Sequence, residues 1–464
     1  MVFSSAEFLF LFLPCTLLLY YNPFFRGRGF RNVLLLLVSL FFYAWGEKVY
    51  VLLLLASIAA NWWLGLRVEP GRKHRRIFLT TAVVLNLAGL FVFKYLGFVC
   101  ENLSALGLPL PEVRLALPIG ISFYTFQAMS YVIDVYREKS PAQRSVLDVG
   151  LYVSFFPQLI AGPIVRYETI AAEIHGRQET WEDFCEGVPR FIQGLGKKVI
   201  LANSMAIIAD AAFDELTAIS VPMAWLGAVA YALQIYFDFS GYSDMAIGLG
   251  WMFGFHFLEN FNYPYISRSI TEFWRRWHIS LSTWFRDYVY FPLGGSRVDS
   301  RAKHIRNLFV VWLLTGIWHG ANWTFLAWGL FYFVLLVLEK YGGLGRGWPV
   351  WAKWLFTFLM VNFAWVLFRA DSLADGFHLL GRILSFQYNG SLVNLAAGDS
   401  GNFTVTVETR ENALYIPLTA LSEIDGESCV YVPDEAGLLS VRRVQVGLVT
   451  GRYAEILQGL KSGD

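Results

Sequence analysis

The feature that most constrains this chain is a succession of apolar runs, each closed at both ends by charge. Spans of about 20 apolar residues read as membrane helices. In the first third the candidates are Phe8–Tyr21, Asn32–Trp45, Val49–Leu66, Ile77–Gly97 and Leu115–Tyr136. Of the 464 residues, 56% are hydrophobic, 17% aromatic and only 16% charged, and mean hydropathy is positive. That is too apolar for a soluble globule and predicts an all-α polytopic membrane protein. The net charge of +1 points to no partner class, and nucleic acid is not expected. Four cysteines, Cys15, Cys100, Cys185 and Cys429, lie far apart, with neither a disulfide framework nor a zinc spacing. No basic residue precedes the first run, so it reads as a retained helix rather than a cleaved signal.

The loops between these runs alternate in charge. Arg26, Arg28 and Arg31 follow the first, five basic residues (Arg67, Arg72, Lys73, Arg75, Arg76) the third, and Arg137, Lys139 and Arg144 the fifth. Loops two and four carry one basic residue each, Lys48 and Arg114, offset by Glu47, Glu101 and Glu112. Positive charge stays inside, which puts the odd loops in the cytoplasm and the N-terminus outside.

Beyond residue 146 the pattern is irregular. Leu147–Val165 is apolar but interrupted by Pro157, Gly162 and Pro163. Non-helical backbone at membrane depth survives only against protein or a water-filled cavity, so a bent or re-entrant segment is predicted. Val188–Phe213 reads as a tilted or partly interfacial helix. Ala224–Phe239 and Met245–Phe257 follow, joined by a polar stretch with Asp238, Ser240, Tyr242, Ser243 and Asp244. That stretch is either a turn at the membrane surface or a polar wall of the same cavity.

Ser269–Tyr290 (SITEFWRRWHISLSTWFRDYVY) opens with a capping box, Ser269 and Glu272. Ile270, Phe273, Trp274, Trp277, Leu281, Trp284, Phe285 and Tyr288 recur at helical spacing, while Arg275, Arg276, Arg286 and Asp287 lie mostly off that face. One helix in the interface plane accounts for all of it except His278, beside the apolar face. Thr315–Trp323 (TGIWHGANW) joins the apolar runs Leu308–Leu314 and Phe325–Leu338. His319 therefore lies close to bilayer depth, where an ionisable side chain costs ~2–3 kcal/mol and usually faces a cavity. The bland alternative is an inert loop histidine at the water–lipid boundary. His74, His175, His256, His304 and His378 have no polar partner at suggestive spacing and receive no role.

The segments 118–137, 154–166, 236–248, 260–296 and 315–330 together resemble the membrane-bound O-acyltransferase superfamily. Within it they are most similar to the bacterial polysaccharide branch that serves alginate O-acetylation, and more distantly to the branch that transfers D-alanine to teichoic acid. The resemblance covers residues 1–390. It implies about 10 membrane helices, with re-entrant or interfacial helices, around a funnel. It further implies transfer of an acetyl group from a cytoplasmic donor, acetyl-CoA, across a bacterial inner membrane, with no tightly bound cofactor. A periplasmic SGNH-type acetyltransferase, exopolysaccharide assembly proteins and membrane lipids are the implied partners. The family's near-essential histidine matches His319, in WHG, and its second histidine matches His278, in RWH. Acyl transfer from a thioester needs a base for the acceptor hydroxyl, a task for neutral imidazole, and His319 takes that role. His278 orients it, stabilises charge, or lines the donor side. Arg275, Arg276 and Lys303 are candidates for donor phosphates, with anionic lipid headgroups the competing reading.

The C-terminus departs from the family. Residues 398–464 contain no membrane span and alternate like strands: FTVTVET, ALYIPLTAL, SCVYVPDE, VRRVQVGLV and AEILQG, with turns at 425–426 and 435–437. This short β-rich tail resembles a fragment of the membrane-proximal domain of periplasmic efflux-pump adaptors, either naturally fused or chimeric. A non-catalytic transporter or efflux component is the alternative function. Carriers are built from internal repeats, and no matching halves are visible here.

Overall fold

In hydrocarbon an apolar run satisfies its backbone only by closing its own hydrogen bonds, and the runs read from the sequence fold as helices. A computed structural model describes residues 1–160, 162–214, 219–385, 414–424, 426–433, 439–449 and 453–461. The chain divides into two compact units, Met1–Ser391 and Leu392–Asp464.

In the first unit a π-helical turn, Phe8–Phe12, leads into α1 (Leu13–Tyr20), followed by α2 (Arg28–Gly46), α3 (Tyr50–Arg67) and α4 (Arg75–Lys94). A bend at Tyr95 starts α5 (Leu96–Ala105). The fifth predicted span is shorter than expected: α6 covers only Ile121–Tyr136. Proline brings no N–H to a helix at Pro118. Gly120 then takes a left-handed conformation (φ +75°) where a Cβ would meet the Leu159 carbonyl at 2.7 Å.

The predicted bend is present as α7 (Val146–Ser154) and α8 (Phe156–Leu159), broken at Phe155. Every residue from Asp148 to Leu159 is buried, so the irregular backbone is sealed inside protein. After α9 (Tyr167–Gly176), α10 (Trp181–Gly196) passes through a π-helical turn, Lys197–Ala202, into α11 (Asn203–Asp214).

Two expectations need correction. The polar stretch 238–244 is not a turn: it lies inside α12, one 32-residue helix from Val221 to Met252. Its carboxylates are neutralised from the neighbouring helical stretch, Asp244 by Arg190 (2.6 Å) and Lys197 (2.5 Å), Asp238 by Lys198 (2.6 Å). With those charges paired, the backbone has no reason to leave the helix. Conversely, Ser269–Tyr290 is not one helix but α13 (Ile270–Arg276) and α14 (Ile279–Phe285), with a π-helical turn, Arg286–Tyr290, behind them. Its apolar residues Phe273, Trp274, Trp277, Leu281, Trp284 and Phe285 are buried in protein, not laid on a surface. The unit ends with α15 (Arg301–His319), α16 (Trp323–Tyr341), α17 (Val350–Arg369) and α18 (Leu373–Leu384).

Six helical stretches among the described residues are long and apolar enough to cross a membrane: α2, α3, α4, Trp181–Asp214, α16 and α17. Among the described residues, a large core joins α1–α4 to α6–α10 and the C-terminal end of α12. A smaller one, containing Phe126, Met129, Ile164, Leu281, Trp284, Phe285, Tyr288 and Trp318, ties α6 and α14 to the C-terminal end of α15.

The second unit holds two antiparallel three-stranded sheets, β1-β6-β5 and β2-β3-β4. The strands are β1 (Leu414–Pro417), β2 (Ser422–Ile424), β3 (Glu427–Pro433), β4 (Leu439–Arg443), β5 (Gln445–Val449) and β6 (Tyr453–Gln458). The predicted strand ALYIPLTAL yields β1 and a 3-10 turn at Leu418–Ala420. VRRVQVGLV divides at Val444, whose N–H donates to the Ser428 carbonyl (2.9 Å). The strand β2 was not predicted. FTVTVET and the turn at 435–437 lie outside the described residues, as does Asp425 of the turn at 425–426. Val430, Val432, Val444 and Ile456 form this unit's core.

Candidate active site

His278 owes its position to the break between α13 and α14. Ser269 caps α13, its hydroxyl accepting from the Glu272 N–H (3.0 Å), while the Glu272 carboxylate accepts from the Arg268 N–H (2.9 Å). The predicted capping box thus forms, its return bond displaced by one residue. Seven residues later the helix stops. Trp277 is extended, and His278 adopts φ +43°, ψ +55°, the left-handed region. Such a conformation in a non-glycine residue costs ~1–3 kcal/mol and persists only when its surroundings impose it. Here the segment Asn260–Asn262 does so. The Ile279 N–H donates to the Asn260 carbonyl and the Asn262 N–H to the Arg276 carbonyl, both at 2.9 Å.

The Asn260 side chain also selects the tautomer of the neutral His278 ring. Its Oδ1 accepts from the Ser280 N–H (3.1 Å) and the Ser280 hydroxyl (2.9 Å), which identifies that atom as the carbonyl oxygen. Its Nδ2 donates to Ser243 Oγ on α12 (3.1 Å). His278 Nδ1 lies 3.1 Å from the same Oδ1. Two acceptors cannot bond, so Nδ1 carries the hydrogen and the neutral ring keeps its lone pair on Nε2. The ring is 1% exposed, and Nε2 has no partner among the described residues. A buried basic nitrogen left open is the kind of group that a substrate hydroxyl or a catalytic partner completes.

His319 is the last residue of α15. Beyond it the chain reverses, and Asn322 caps α16 by accepting from the Thr324 N–H (3.1 Å). The two helices of this hairpin touch through glycine: a Cβ on Gly316 would lie 2.6 Å from the Phe325 carbonyl, and one on Gly329 2.5 Å from that of Trp312. The final carbonyls of α15, which have no partner within the helix, are held from α4. The Tyr95 hydroxyl donates to the Ile317 carbonyl (2.6 Å), and the Lys94 ammonium donates to the Trp318 carbonyl and to Ser122 Oγ (3.2 Å). The His319 ring stands edge-on to Trp318 and Trp328 (both 4.9 Å) and to Phe368 (5.1 Å), and remains partly accessible.

Trp318 joins the two histidines, its ring centroid 4.9 Å from that of His319 and 6.3 Å from that of His278. Phe239 of α12 closes the other side of His278 at 4.6 Å, so the once-ambiguous stretch 238–244 does wall the site, as helix rather than turn. A cavity of about 220 Å³ reaches Ile279 and Ser280, immediately after His278, and includes Arg166, Glu168, Glu259 and Arg286 in its lining.

The structure therefore brings His278 and His319 together but not the arginines. Arg276 is engaged by Glu272 (3.0 Å) and the Asn262 carbonyl (3.2 Å), and Arg275 is exposed. Lys303 pairs with Asp299 (2.7 Å). Of the unassigned histidines, His304 is buried between the Tyr290 and Tyr341 hydroxyls, a satisfied structural network. Asn260, Lys94 and Tyr95 were missed. Lys94 had a readable signal, a lone cation inside the run Ile77–Gly97; Asn260 had none, because an asparagine in a polar segment is unremarkable until its partner is known.

Residues 138–369 match the model of the membrane-bound O-acyltransferase family. The chain is also 47% identical over 396 residues to the probable alginate O-acetylase of Pseudomonas aeruginosa, covering 83% of this chain and 75% of that one. This chain belongs to the membrane-bound O-acyltransferase family. Other relatives include the peptidoglycan O-acetyltransferase of Helicobacter pylori, 36% identical over 417 residues (82% of this chain, 79% of the other). The teichoic acid D-alanyltransferase of Bacillus subtilis is 28% identical over 290 residues (59% and 70%). As an O-acyltransferase with six long apolar helical stretches the chain is a multi-pass membrane enzyme. Both histidines lie within the matched segment, whereas Lys94 precedes it.

Proposed function

We propose that this chain is a membrane O-acetyltransferase that moves acetyl groups from cytoplasmic acetyl-CoA across a bacterial inner membrane for O-acetylation of an exported polysaccharide such as alginate. The observation that carries the reading is the pair of imidazoles that both neighbour Trp318, one of them with Nδ1 tied to Asn260 and Nε2 open among the described residues. The names of the relatives support the acetyl group and the polymer.

In the proposed reaction the acceptor hydroxyl oxygen attacks the thioester carbonyl carbon, and the hydroxyl proton passes to His319 as general base. The carbon–sulfur bond breaks, and the leaving thiolate recovers that proton from the imidazolium. His278, its hydrogen fixed on Nδ1, offers Nε2 as acceptor and orients the hydroxyl. A periplasmic SGNH-type transferase receives the acetyl group and modifies the polymer. The N-terminus lies on the periplasmic side. The β-rich unit, similar to part of an efflux-pump adaptor domain, takes no part in the chemistry.

Polymer O-acetyl content tests this in cells whose own acyltransferase is deleted. Acetylation by the parent, abolished in His319→Ala and strongly reduced in His278→Ala at equal membrane levels, is expected. Acetylation that survives His319→Ala would overturn the assignment of the base.

A further inference from the structure

A second cavity, of about 500 Å³, lies away from the two histidines, between the loop after α16 and the segment leading into α13. His304, in the first turn of α15, lies between the side chains of Tyr290, Tyr341 and Lys340. The cavity therefore opens at the end of the helix bundle that carries the basic segment 297–306. Its walls include four cations, Arg268, Lys340, Arg346 and Lys353, and two carboxylates, Glu272 and Glu339. Both carboxylates are already committed. Glu339 accepts from the Ile270 N–H (2.8 Å) and the Thr271 N–H (3.3 Å), and Glu272 pairs with Arg276. Among the described residues no carboxylate comes within ion-pair distance of the four cations.

Like charges held around one concavity repel, so they are stabilised by an anion that enters it. The linking loop GGLGRG folds with positive φ at Gly343, Gly345 and Gly347, which turns the backbone back on itself beside Arg346. Val350, which opens α17, also lines the cavity; that helix has no side-chain cap and no acid in its first turn, so its free N–H groups add to the positive potential.

We propose that this cavity binds phosphate esters. Arginine and lysine grouped around one concavity suit tetrahedral phosphate oxygens, and the ligand is either the phosphate-rich nucleotide part of a coenzyme A thioester or the headgroup of an anionic phospholipid. The nucleotide source rests on the acetyl donor proposed above; the lipid source does not.

The test uses the full chain in phosphatidylcholine nanodiscs, with coenzyme A as one probe and phosphatidylglycerol, followed by native mass spectrometry, as the other. Arg346→Gln combined with Lys353→Gln removes two cations that make no ion pair among the described residues. It is expected to weaken one probe at least 10-fold, and the probe that weakens identifies the source. Arg26→Gln combined with Lys73→Gln removes the same charge from exposed loops predicted to share that side, and is expected to change binding less than twofold. The cavity assignment fails if neither probe binds the parent, or if the two double variants behave alike. Repeating the coenzyme A measurement on His319→Ala separates the two readings, since a chain that cannot acetylate should still bind.

Discussion

At the residue scale the deciding interaction is the one between Asn260 and His278, because it settles which ring nitrogen keeps its lone pair. Asn260→Ala removes the acceptor for Nδ1–H and for the Ser280 N–H, while the backbone bonds between residues 260 and 279 and between 262 and 276 still hold the left-handed turn, so the ring alone loses its orientation. Misplacing a catalytic group by about 1 Å costs on the order of 100-fold in rate, and a loss of that size in acetyl transfer is expected at unchanged membrane level. Asn260→Asp keeps the acceptor but adds a buried charge and puts an acceptor where Nδ2–H donates to Ser243. It should retain part of the activity and shift its pH profile, measured as O-acetyl release between pH 6 and 9; identical behaviour of the two variants would mean that Asn260 only packs. The two histidines stood out because imidazole is rare at membrane depth, but it was the family resemblance, not their spacing, that suggested their roles. Asn260 was not, since its meaning depends on an 18-residue separation that only the folded break closes. Lys94 was legible in principle, as an isolated cation in an apolar run.

At the scale of elements, periodicity identified the helices and misjudged their continuity. The apolar spacing of 269–290 survives the break because both helices bury aromatic faces, α13 against Trp312, Trp328 and Tyr332 and α14 against Phe126, so the pattern gives no sign of the left-handed residue between them. In α12 the error ran the other way: two helices were expected where there is one, because Asp238 and Asp244 interrupt the apolar pattern, and Lys198, Arg190 and Lys197 supply their counter-charges. The α15–α16 hairpin makes a sharper claim. Gly316→Ala places a methyl 2.6 Å from a backbone carbonyl, which cannot rotate away. Overpacking of this kind costs ~1–3 kcal/mol and pushes His319 off Trp318, so both thermal stability in detergent and activity should fall. On α18, by contrast, nothing lies within 4 Å of a Cβ added to Gly381. Gly381→Ala there should gain up to ~1 kcal/mol, the ordinary helical advantage of alanine. A melting curve of each variant checks both signs at once.

The loop between α9 and α10 carries the electrostatic ties between elements. Glu179 is 7% exposed in its side chain and pairs with Arg28 and with Arg31 (2.8 Å) on α2, while Tyr20 at the end of α1 donates to it. Burial alone would raise its pKa, but the Arg28 and Tyr20 hydrogen bonds outweigh that and hold it at about 2. Its contribution is therefore complete above the ordinary carboxylate range and is lost only as pH falls toward 2. Glu179→Gln leaves buried arginine charge uncompensated and should cost ~3–5 kcal/mol at any pH from 5 to 9. His256 runs opposite. Burial lowers its pKa, yet the Glu173 and Asp183 carboxylates at 2.9 and 3.3 Å more than compensate, and the net shift is upward. That stabilisation is complete below the ordinary imidazole range and fades as pH rises through the raised value. Because His256 is half exposed it amounts to no more than a surface pair, ~1 kcal/mol or less. The parent should lose this small margin in thermal scans as pH rises above the ordinary imidazole range, and His256→Gln should not.

At the scale of the whole molecule the question is where the catalytic unit ends. Its last described helix is not an appendage. Arg382 of α18 donates to the Ile219 carbonyl (2.7 Å), and Trp225 of α12 donates to the Ile383 carbonyl (3.1 Å). Leu379 and Ile383 are buried, and α18 packs on α12 and α17. Because α12 supplies Ser243 and Phe239 to the His278 environment and α17 supplies Phe368 to that of His319, α18 braces both halves of the site from outside. The β-rich unit has its own hydrophobic core, and the site as built from named side chains draws on none of its residues. Two truncations separate these cases. A chain ending at Gly390 keeps every contact described for α18 and should retain acetylation close to the parent's. A chain ending at Asp371 loses the helix, leaves the Trp225 indole and the Ile219 carbonyl without these partners, and should lose most activity even where it reaches the membrane. Equal activity of the two would show that α18 is dispensable; inactivity of both would make the β-rich unit part of the working enzyme.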